Sequence, residues 1–214
     1  MYATNLLGSR NLLEALAGAA QAPDAVLLAS SANIYGNARG GRLSEATSPA
    51  PANDYGVSKI AMEYLAATYA ERLPIIITRP FNYTGVGQAA NFLIPKIIDH
   101  ARRRAPVLEL GNIDVERDFS DVRMVADAYA QLIAAPAAIG RTLNVCSGEA
   151  VTLRAVIDLV ERLSGHRFDV QINPAFVRAN EVKTLCGDRS ALEGVIGAVQ
   201  AHPLEETLRW MLDA

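Results

Sequence analysis

The sequence predicts an α/β fold built around a parallel sheet, and three observations support this. Two short runs, AVLLASS at 25–31 and PIIITRPF at 74–81, are largely apolar, which suits strands that are buried on both faces. The segment between them, 54–72, has the length and the periodicity of a helix. Further strand and helix patterns alternate after residue 81. Strands that alternate with helices of this length are typical of parallel α/β sheets.

The elements follow one another without repeats or low-complexity segments. The chain opens on a helix over 4–20, where leucines recur with a helical period before the Pro23-Asp24 pair ends the segment. Glycine, proline and serine are frequent at 36–51 and 84–90, and we expect these two stretches to form loops over a site. The remaining predictions are helices near 91–104, 121–135, 152–164 and 203–213, and strands at 107–110, 142–146 and 168–172.

Composition indicates one globular domain over residues 1–214. Half of the 214 residues, 50%, are apolar and 20% are charged, which is the balance of an ordinary globular protein with a sizeable core. No run of 18 apolar residues occurs and the N-terminus lacks a signal-peptide pattern, so we expect a cytoplasmic protein with no membrane partner. The net charge of −3 gives no general attraction for nucleic acid.

Cysteine and histidine usage excludes the common metal and disulfide patterns. Cys146 and Cys186 are the two cysteines, with no CxxC motif, and the chain has three histidines, none at ligand spacing. We therefore expect no metal site and no disulfide, and we expect both cysteines to lie in the core.

The stretch NDYGVSKIAMEYLAATYA, 53–70, places Tyr55 and Lys59 four residues apart at the start of a predicted helix. Residues i and i+4 are neighbours on one helical face, so an ammonium there can favour the ionised form of a phenol. A phenol with an unperturbed pKa of ~10 then becomes a usable acid or base near neutral pH. The spacing alone leaves open an ordinary solvated helix, because this pair occurs by chance on many such helices.

The neighbouring strand favours a site. LLASSANIYG ends a buried run in Ser30-Ser31 and then turns through Asn33, Tyr35 and Gly36. Hydroxyl groups are thereby placed at the carboxyl edge of the predicted sheet, which is where open α/β sheets bind ligands.

Five segments resemble one family in order and in wording: SSANIYG, YGVSK, RPFNYTGVGQ, RDFSDV and NVCSGEAVTL. They are similar to the extended short-chain dehydrogenases/reductases, which include nucleotide-sugar epimerases, dehydratases and reductases. The resemblance implies a partial doubly wound, Rossmann-like parallel sheet with a smaller C-terminal α/β substrate-binding region. It assigns 1–83 to the remainder of the Rossmann core with the catalytic residues, and 84–214 to substrate binding and the last core elements.

The resemblance also implies catalytic roles. Ser31 matches the family's catalytic Ser/Thr, and Tyr55 matches its acid/base. Lys59 matches the lysine that lowers the pKa of the tyrosine and binds the nicotinamide ribose. Tyr55, Lys59 and Pro80 would contact the cofactor, NADP or NAD, and hydride would move between the nicotinamide and the sugar carbon.

The resemblance also implies which residues bind the substrate, several of them at or after the end of the second predicted strand. Two interpretations of Arg79 stay open, a buried ion pair and a contact to the ligand. Arginine supplies the bidentate donors that a diphosphate needs, and Glu181 matches an acid for the nucleotide ribose, although Ala179 departs from the family's usual proline. The expected substrate-binding residues are Asn33, Arg79, Asn82, Asn91, Lys96, Arg117, Arg178 and Glu181.

The wording is most similar to the GDP-sugar branch, the GDP-4-dehydro-6-deoxy-mannose reductases and GDP-mannose 4,6-dehydratases. The glutamate that a dehydratase uses as a base would fall at Asn33, which cannot take up a proton. The resemblance therefore favours reduction of a GDP-4-keto-6-deoxy sugar, with dehydration or 4-epimerisation as alternatives.

The family's glycine-rich strand-turn-helix for the cofactor pyrophosphate is absent from these 214 residues, since neither GxGxxG nor GxxGxxG occurs. We expect either a shortened copy or a mis-started reading frame of a reductase whose activity belongs to the longer protein, or a non-catalytic nucleotide-sugar-binding or subunit-interaction module. The flank of the first strand, 25–31, would then be exposed and would favour pairing with a second copy, so a homodimer is expected.

Overall fold

The computed structural model describes residues 1–36, 41–177, 183–200 and 202–214. A π-helical turn over Ala3–Gly8 leads into the first α-helix. The helices are α1 Ser9–Ala17, α2 Asp54–Ala67, α3 Leu93–Arg102, α4 Val122–Ala134, α5 Leu153–Ser164, α6 Ser190–Ile196 and α7 Leu204–Asp213. The strands are β1 Val26–Ala29, β2 Gly41–Leu43, β3 Ile75–Pro80, β4 Asn82–Thr84, β5 Val107–Leu110, β6 Glu116–Asp121, β7 Thr142–Val145, β8 Ala150–Thr152, β9 Asp169–Ile172 and β10 Thr184–Gly187.

The central sheet has three parallel strands in the order β1-β3-β7. Helices α1 and α2 cover one face, where Leu13 and Met62 pack against Leu28. Helices α4 and α6 cover the other face, where Val125 packs with Ile76. The predicted α/β fold with a parallel, Rossmann-like sheet is confirmed.

A second sheet has the order β2-β10-β6-β4, with parallel pairs throughout, and β8 joins β6 antiparallel. Sequence analysis predicted a loop where β2 lies and gave no strand at β4, β6, β8 or β10. Most of these strands are three or four residues long, and β6 reads ERDFSD. Such segments lack the apolar pattern of buried strands, so their pairing depends on tertiary contacts.

The rest of the second half forms an α/β layer. Strands β5 and β9 pair in parallel, and helices α3, α5 and α7 pack on a shared apolar core that includes Ile97, Leu108, Val160 and Leu208. Strand β7 belongs to the central sheet and helix α4 packs on that sheet, although both follow residue 83. The division at residue 83 therefore stays a prediction about domain organisation.

Other expectations from composition can be compared with the described residues. Cys146 and Cys186 are both buried and free. In the described ranges no group of histidine, cysteine, aspartate and glutamate side chains is arranged to hold a metal ion. The helices described here are all too short or too polar to cross a membrane.

Candidate active site

The catalytic serine expected from the sequence lies directly beyond the carboxyl end of β1. Ser31 is buried and caps a short 3-10 helix, Ala32–Tyr35. Its Oγ accepts hydrogen bonds of 3.1 Å from the backbone N–H and from the side-chain Nδ2 of Asn33. The hydroxyl is thus held by its own turn and retains its proton for donation.

Tyr55 and Lys59 lie in the first turns of α2. Asn53 caps the helix, because its side chain accepts a hydrogen bond of 2.8 Å from the backbone N–H of Gly56. The Lys59 Nζ lies 5.8 Å from the centroid of the Tyr55 ring and donates a hydrogen bond of 2.7 Å to the carbonyl oxygen of Ala29. The proximity predicted from the spacing of four residues is confirmed.

The α2 helix approaches the 3-10 helix closely because residue 56 is glycine. A Cβ at Gly56 would lie 2.7 Å from the carbonyl oxygen of Asn33 and 3.0 Å from Cβ of Pro51. The absence of a side chain therefore allows the backbones to meet next to Tyr55. This contact places the phenol beside the Ser31 turn.

Burial dominates the electrostatics of this pair. Burial raises the pKa of Tyr55 above its usual value, a hydrogen bond with Ser31 offsets part of this, and the nearby phenol of Tyr83 adds to the rise. Burial also lowers the pKa of Lys59. Burial of the phenol dominates its pKa and the ammonium is directed at Ala29, so the lowering of the Tyr55 pKa by Lys59 stays a prediction.

A cavity of about 1030 Å³ opens at this edge of the sheet. The three expected catalytic residues line it. It also contains most of the expected cofactor and substrate residues: Asn33, Pro80, Asn82, Asn91, Lys96 and Arg117. The structure therefore brings these sequence-predicted residues to one site.

One end of the cavity has features that fit part of a nicotinamide cofactor. Ser30 lines the wall and is 2% exposed, and its Oγ has no hydrogen-bond partner among the described residues. A buried hydroxyl without a partner costs free energy unless a ligand or water satisfies it. Together with the Lys59 ammonium and the Tyr55 phenol, it offers polar groups suited to the nicotinamide-ribose end of such a cofactor.

Two further side chains that line the cavity are held by contacts to backbone carbonyl groups. Asn82 donates from Nδ2 to the carbonyl oxygen of Asp118 at 3.3 Å. Lys96 donates to the carbonyl oxygen of Glu109 at 2.7 Å, and its Nζ lies 4.7 Å from the Phe176 ring centroid. These bonds fix the directions of side chains that face the cavity.

Arg117 lies on β6 and also faces the cavity. It donates hydrogen bonds to the carbonyl oxygens of Glu116 at 2.8 Å and Lys183 at 3.4 Å. Its guanidinium group is thus anchored at the wall of the cavity.

Arg79 belongs to a buried ion pair, the first of the two interpretations that the sequence left open. It forms a buried ion pair with Glu63, with 2.7 Å between Nη2 and Oε2 and 3.1 Å between Nε and Oε1. It is not among the residues that line the cavity. The structure therefore supports the buried ion pair and corrects the placement of Arg79 among the substrate-binding residues.

Two further expectations, Arg178 and Glu181, lie outside the described residues. Conversely, the cavity includes residues that sequence analysis did not single out: Tyr83, Gln88, Phe92, Asn112 and Phe176. The signal for Tyr83 was present, since it follows Asn82 in RPFNYTG. Phe176 ends a short 3-10 helix, Pro174–Phe176, which has no periodic pattern, and it could not have been selected from the sequence.

The chain is similar to known proteins over most of its length. A family model described as GDP-mannose 4,6 dehydratase matches residues 1–211. The chain is 35% identical to GDP-6-deoxy-D-talose 4-dehydrogenase from Aggregatibacter actinomycetemcomitans, over 92% of this chain and 66% of that protein. It is 34% identical to GDP-6-deoxy-D-mannose reductase from Pseudomonas aeruginosa, over 97% of this chain and 71% of that protein.

Solved structures match over nearly the whole chain. A crystal structure from Burkholderia cenocepacia J2315, of a protein described as an epimerase, is 57% identical to this chain with a TM-score of 0.96. The match covers 99% of this chain and 70% of that one. RMD from Pseudomonas aeruginosa complexed with NADPH is 30% identical with a TM-score of 0.88, covering 99% and 73%. The chain thus spans about two thirds to three quarters of the length of these proteins.

Proposed function

Because this chain belongs to the GDP-mannose 4,6 dehydratase family within the extended short-chain dehydrogenases/reductases, we propose that it carries the catalytic part of an NAD(P)-dependent reductase of a GDP-4-keto-6-deoxy-hexose. The relatives act on nucleotide sugars, so modification of a nucleotide sugar with a nicotinamide cofactor is the general activity. The observation that carries the specific proposal is the convergence of Ser31, Tyr55 and Lys59 on one cavity.

In the proposed reaction, Tyr55 donates its phenolic proton to the oxygen on C4 of the sugar, and the Ser31 hydroxyl holds that oxygen by a hydrogen bond. The raised pKa of Tyr55 keeps the phenol protonated, which is the form that reduction requires. Lys59 and the unpartnered Ser30 hydroxyl would hold the nicotinamide ribose, beside Pro80. When bound, the nicotinamide supplies the hydride for reduction and accepts it in the reverse direction.

Asn33 favours reduction over dehydration. Removing water from the sugar needs a base that can take up a proton, and a neutral amide cannot do so. The Asn33 amide instead donates a hydrogen bond to the Ser31 hydroxyl. The named activities of the relatives, a 4-dehydrogenase and a reductase of GDP-6-deoxy sugars, support redox chemistry at C4. GDP-mannose 4,6-dehydration and 4-epimerisation are the alternatives.

We propose GDP as the nucleotide. This rests on the GDP-sugars named for the two relatives. Arg117 would contact the diphosphate from the cavity wall. Arg178 and Glu181, outside the described residues, stay predicted partners of the phosphate and the ribose.

We propose that the 214 residues do not turn over substrate by themselves. None of their segments supplies the glycine-rich turn whose backbone N–H groups bind the cofactor pyrophosphate. A function of another class, nucleotide-sugar binding or subunit interaction without catalysis, would follow if the short chain acts alone.

We also propose a homodimer. Among the described residues β1 pairs with β3 only. Helix α2 leaves Val57 and Tyr64 exposed on one face, by 39% and 67%, and α1 leaves Leu12 49% exposed. A second copy could cover these apolar groups.

The proposal is tested in a lengthened protein. This is the product of the reading frame extended upstream of the Met1 codon or, if that frame is closed, the 214 residues joined to the N-terminal segment of the Pseudomonas aeruginosa reductase. It is assayed with NADPH and NADH on a GDP-4-keto-6-deoxy sugar, on GDP-mannose and on UDP-sugars, and products are identified by mass spectrometry and NMR.

Reduction of the GDP-keto sugar is expected. The Tyr55→Phe variant should lose ~10²–10⁴ in turnover with binding nearly retained, because only the proton donor is removed. Loss of water from GDP-mannose would indicate the dehydratase instead, and interconversion of UDP-sugars would indicate an epimerase. Binding without any turnover would favour the non-catalytic class.

A further inference from the structure

A buried polar network lies behind the cavity and does not face it. We infer that its central ion pair, Glu63 with Arg79, is a positioning device that holds Tyr55 and Lys59 in register with Ser31. This inference rests on the proposed catalytic roles of those three residues. It concerns residues that reach no ligand, and so it goes beyond the assignment of the site.

The ion pair is saturated with protein contacts. Glu63 and Arg79 side chains are 6% and 9% exposed, and both carboxylate oxygens accept from the guanidinium. The remaining Arg79 nitrogen, Nη1, donates to the Tyr35 hydroxyl at 3.1 Å and to the carbonyl oxygen of Glu45 at 3.3 Å. The guanidinium therefore has no nitrogen left for a substrate phosphate, and any influence on catalysis must pass through its neighbours.

The network continues from Tyr35 to the central sheet. The Tyr35 hydroxyl donates a hydrogen bond of 2.7 Å to Oδ1 of Asn144. Asn144 donates from Nδ2 to the carbonyl oxygen of Leu43 at 3.0 Å. Its backbone N–H donates to the Glu45 carboxylate at 2.6 Å. The chain of bonds thus joins α2, β3, the 3-10 helix and β7.

Each joined element carries a residue of the proposed site. Glu63 lies one helical turn after Lys59 and two turns after Tyr55 on α2. Tyr35 ends the 3-10 helix that Ser31 caps. Arg79 directly precedes Pro80 of the cavity wall. The ion pair thereby fixes the distance between the elements that carry the acid/base and the serine.

Energetics favour a role in geometry over a role in stability. Burying two opposite charges costs about as much desolvation as their attraction returns, so an apolar pair of similar volume is often equally stable. A bidentate pair fixes direction and distance more strictly than apolar packing does. Displacing a reacting group by about 1 Å can cost ~10²-fold in rate.

The test in the lengthened protein separates turnover from binding. Glu63→Gln keeps the side-chain shape and removes the charge. We expect kcat to fall by about tenfold or more while KM for the sugar nucleotide changes by less than about threefold, because the substrate wall is untouched. The matched control breaks an exposed pair far from the site, Arg162 with Glu205, through Glu205→Gln, and should change neither constant.

A second readout does not depend on activity. The 214-residue chain is labelled with ¹³C at tyrosine Cζ, and the Tyr55 signal, assigned with Tyr55→Phe, is titrated without cofactor. The pKa of Tyr55 depends on burial of the phenol and on its hydrogen bond with Ser31, so separation of α2 from the 3-10 helix should shift that pKa from its value in the parent chain. Lys59 and the phenols of Tyr83 and Tyr129 also lie near Tyr55, and their substitution is avoided.

The outcomes are distinct. If Glu63→Gln lowers the unfolding midpoint but leaves both kcat and the Tyr55 titration unchanged, the pair is structural and the inference is overturned. If Glu63→Gln fails to fold, the double variant Glu63→Leu with Arg79→Met replaces it. A folded double variant with full kcat and an unchanged titration would overturn the inference, whereas one with reduced kcat or a shifted Tyr55 pKa would support it. If the lengthened protein without substitutions shows no turnover, the proposed function fails. The Tyr55 titration in the 214-residue chain then still tests whether the ion pair positions Tyr55.

Discussion

Lys59 donates a hydrogen bond of 2.7 Å from its ammonium to the backbone carbonyl oxygen of Ala29. Ala29 is the last residue of β1, two residues before Ser31. The bond therefore ties the helix that carries Tyr55 to the strand end that carries the serine. It also directs the positive charge at the strand end, and the phenol beside it stays neutral.

The first prediction concerns the acid/base group. Burial raises the pKa of Tyr55, so in the cofactor-free chain we expect this tyrosine to titrate above ~10, the usual value for tyrosine. In the reduction direction the rate should stay level through neutral pH and fall as pH rises through the Tyr55 pKa, because the proton donor is lost. ¹³C NMR titration and a pH-rate profile measure this. A Tyr55 pKa below ~10 without cofactor would contradict this prediction and would support the expectation that Lys59 lowers the pKa of Tyr55.

The second prediction concerns the substrate wall. Arg117→Ala should weaken binding of the nucleotide sugar by ~1.5–3 kcal/mol, the value of a charge-assisted contact. Arg117→Lys should lose less, because it keeps the charge and loses only the bidentate geometry. Arg154 is the control, since it is exposed, pairs with Asp114 and is not among the residues that line the cavity. Calorimetry with GDP- and UDP-sugars would also rank the bases, and unchanged binding by both Arg117 variants would make this arginine structural.

The third prediction tests the close approach beside Tyr55. Replacing a helical glycine by alanine usually stabilises a helix by up to ~1 kcal/mol. In Gly56→Ala the new Cβ would lie 2.7 Å from the carbonyl oxygen of Asn33, so we expect a lower unfolding midpoint and lower turnover. Gly194 in α6 is the matched control, because a Cβ at that position would point into open space. Gly194→Ala should be neutral or stabilising, and equal effects of the two substitutions would contradict the packing argument.

The elements that could be predicted from the sequence are those whose residue pattern depends on neighbours within the same short segment. The runs that became β1 and β3 are apolar because both of their faces are covered, and the pairing of Tyr55 with Lys59 follows from helical geometry alone. Strands β2, β4 and β10 could not be predicted, since they are short and form only where other strands offer backbone partners. Their formation depends on contacts between residues far apart in the chain.

The candidate site shows the same limit. The approach of Ser31 to Tyr55 depends on a glycine meeting the backbone of Asn33, which no spacing rule states. The sequence did not distinguish a buried ion pair from a ligand contact at Arg79, because its partner Glu63 lies sixteen residues earlier in the chain. Both features depend on contacts between residues that are far apart in the chain.

The fourth prediction concerns stability at low pH. Burial alone would raise the pKa of Asp121, but hydrogen bonds from Arg123 and Thr207 outweigh it and hold the pKa below its ordinary value of 3.8. A folded-state pKa below the unfolded one contributes stability above pH 3.8 that is lost as pH falls through the folded value. Asp121→Asn should therefore lower the free energy of unfolding by ~1–3 kcal/mol at pH 7.

The difference between parent and Asp121→Asn should shrink below about pH 4, where the parent also loses the charge. Urea unfolding at several pH values measures it. Asp114→Asn is the control, because Asp114 is 76% exposed and its pair is worth little. A pH-independent difference for Asp121→Asn would indicate lost packing and not lost charge.

The last prediction concerns the 214-residue chain expressed by itself. Its residues at the nicotinamide end, Tyr55 and Lys59, can contact only part of a dinucleotide, and hydride transfer needs the nicotinamide held within about 3–3.5 Å of the sugar carbon. We therefore expect no tight binding of NADPH and no reduction of a keto sugar. Fluorescence titration with NADPH measures the first, and the lengthened protein is the control for the second.

The same chain should self-associate. Strand β1 has backbone groups on its free side that pair with no other described strand, and Leu12 and Tyr64 are exposed on neighbouring helices. Unpaired strand edges and exposed apolar groups favour pairing with a second copy or aggregation. Size-exclusion chromatography with light scattering measures the mass. Tyr64→Lys should reduce association through the helices and leave association through β1 unchanged. A monomer that binds NADPH with micromolar affinity would contradict both expectations, because it would show that these 214 residues hold the cofactor and cover their own surface unaided.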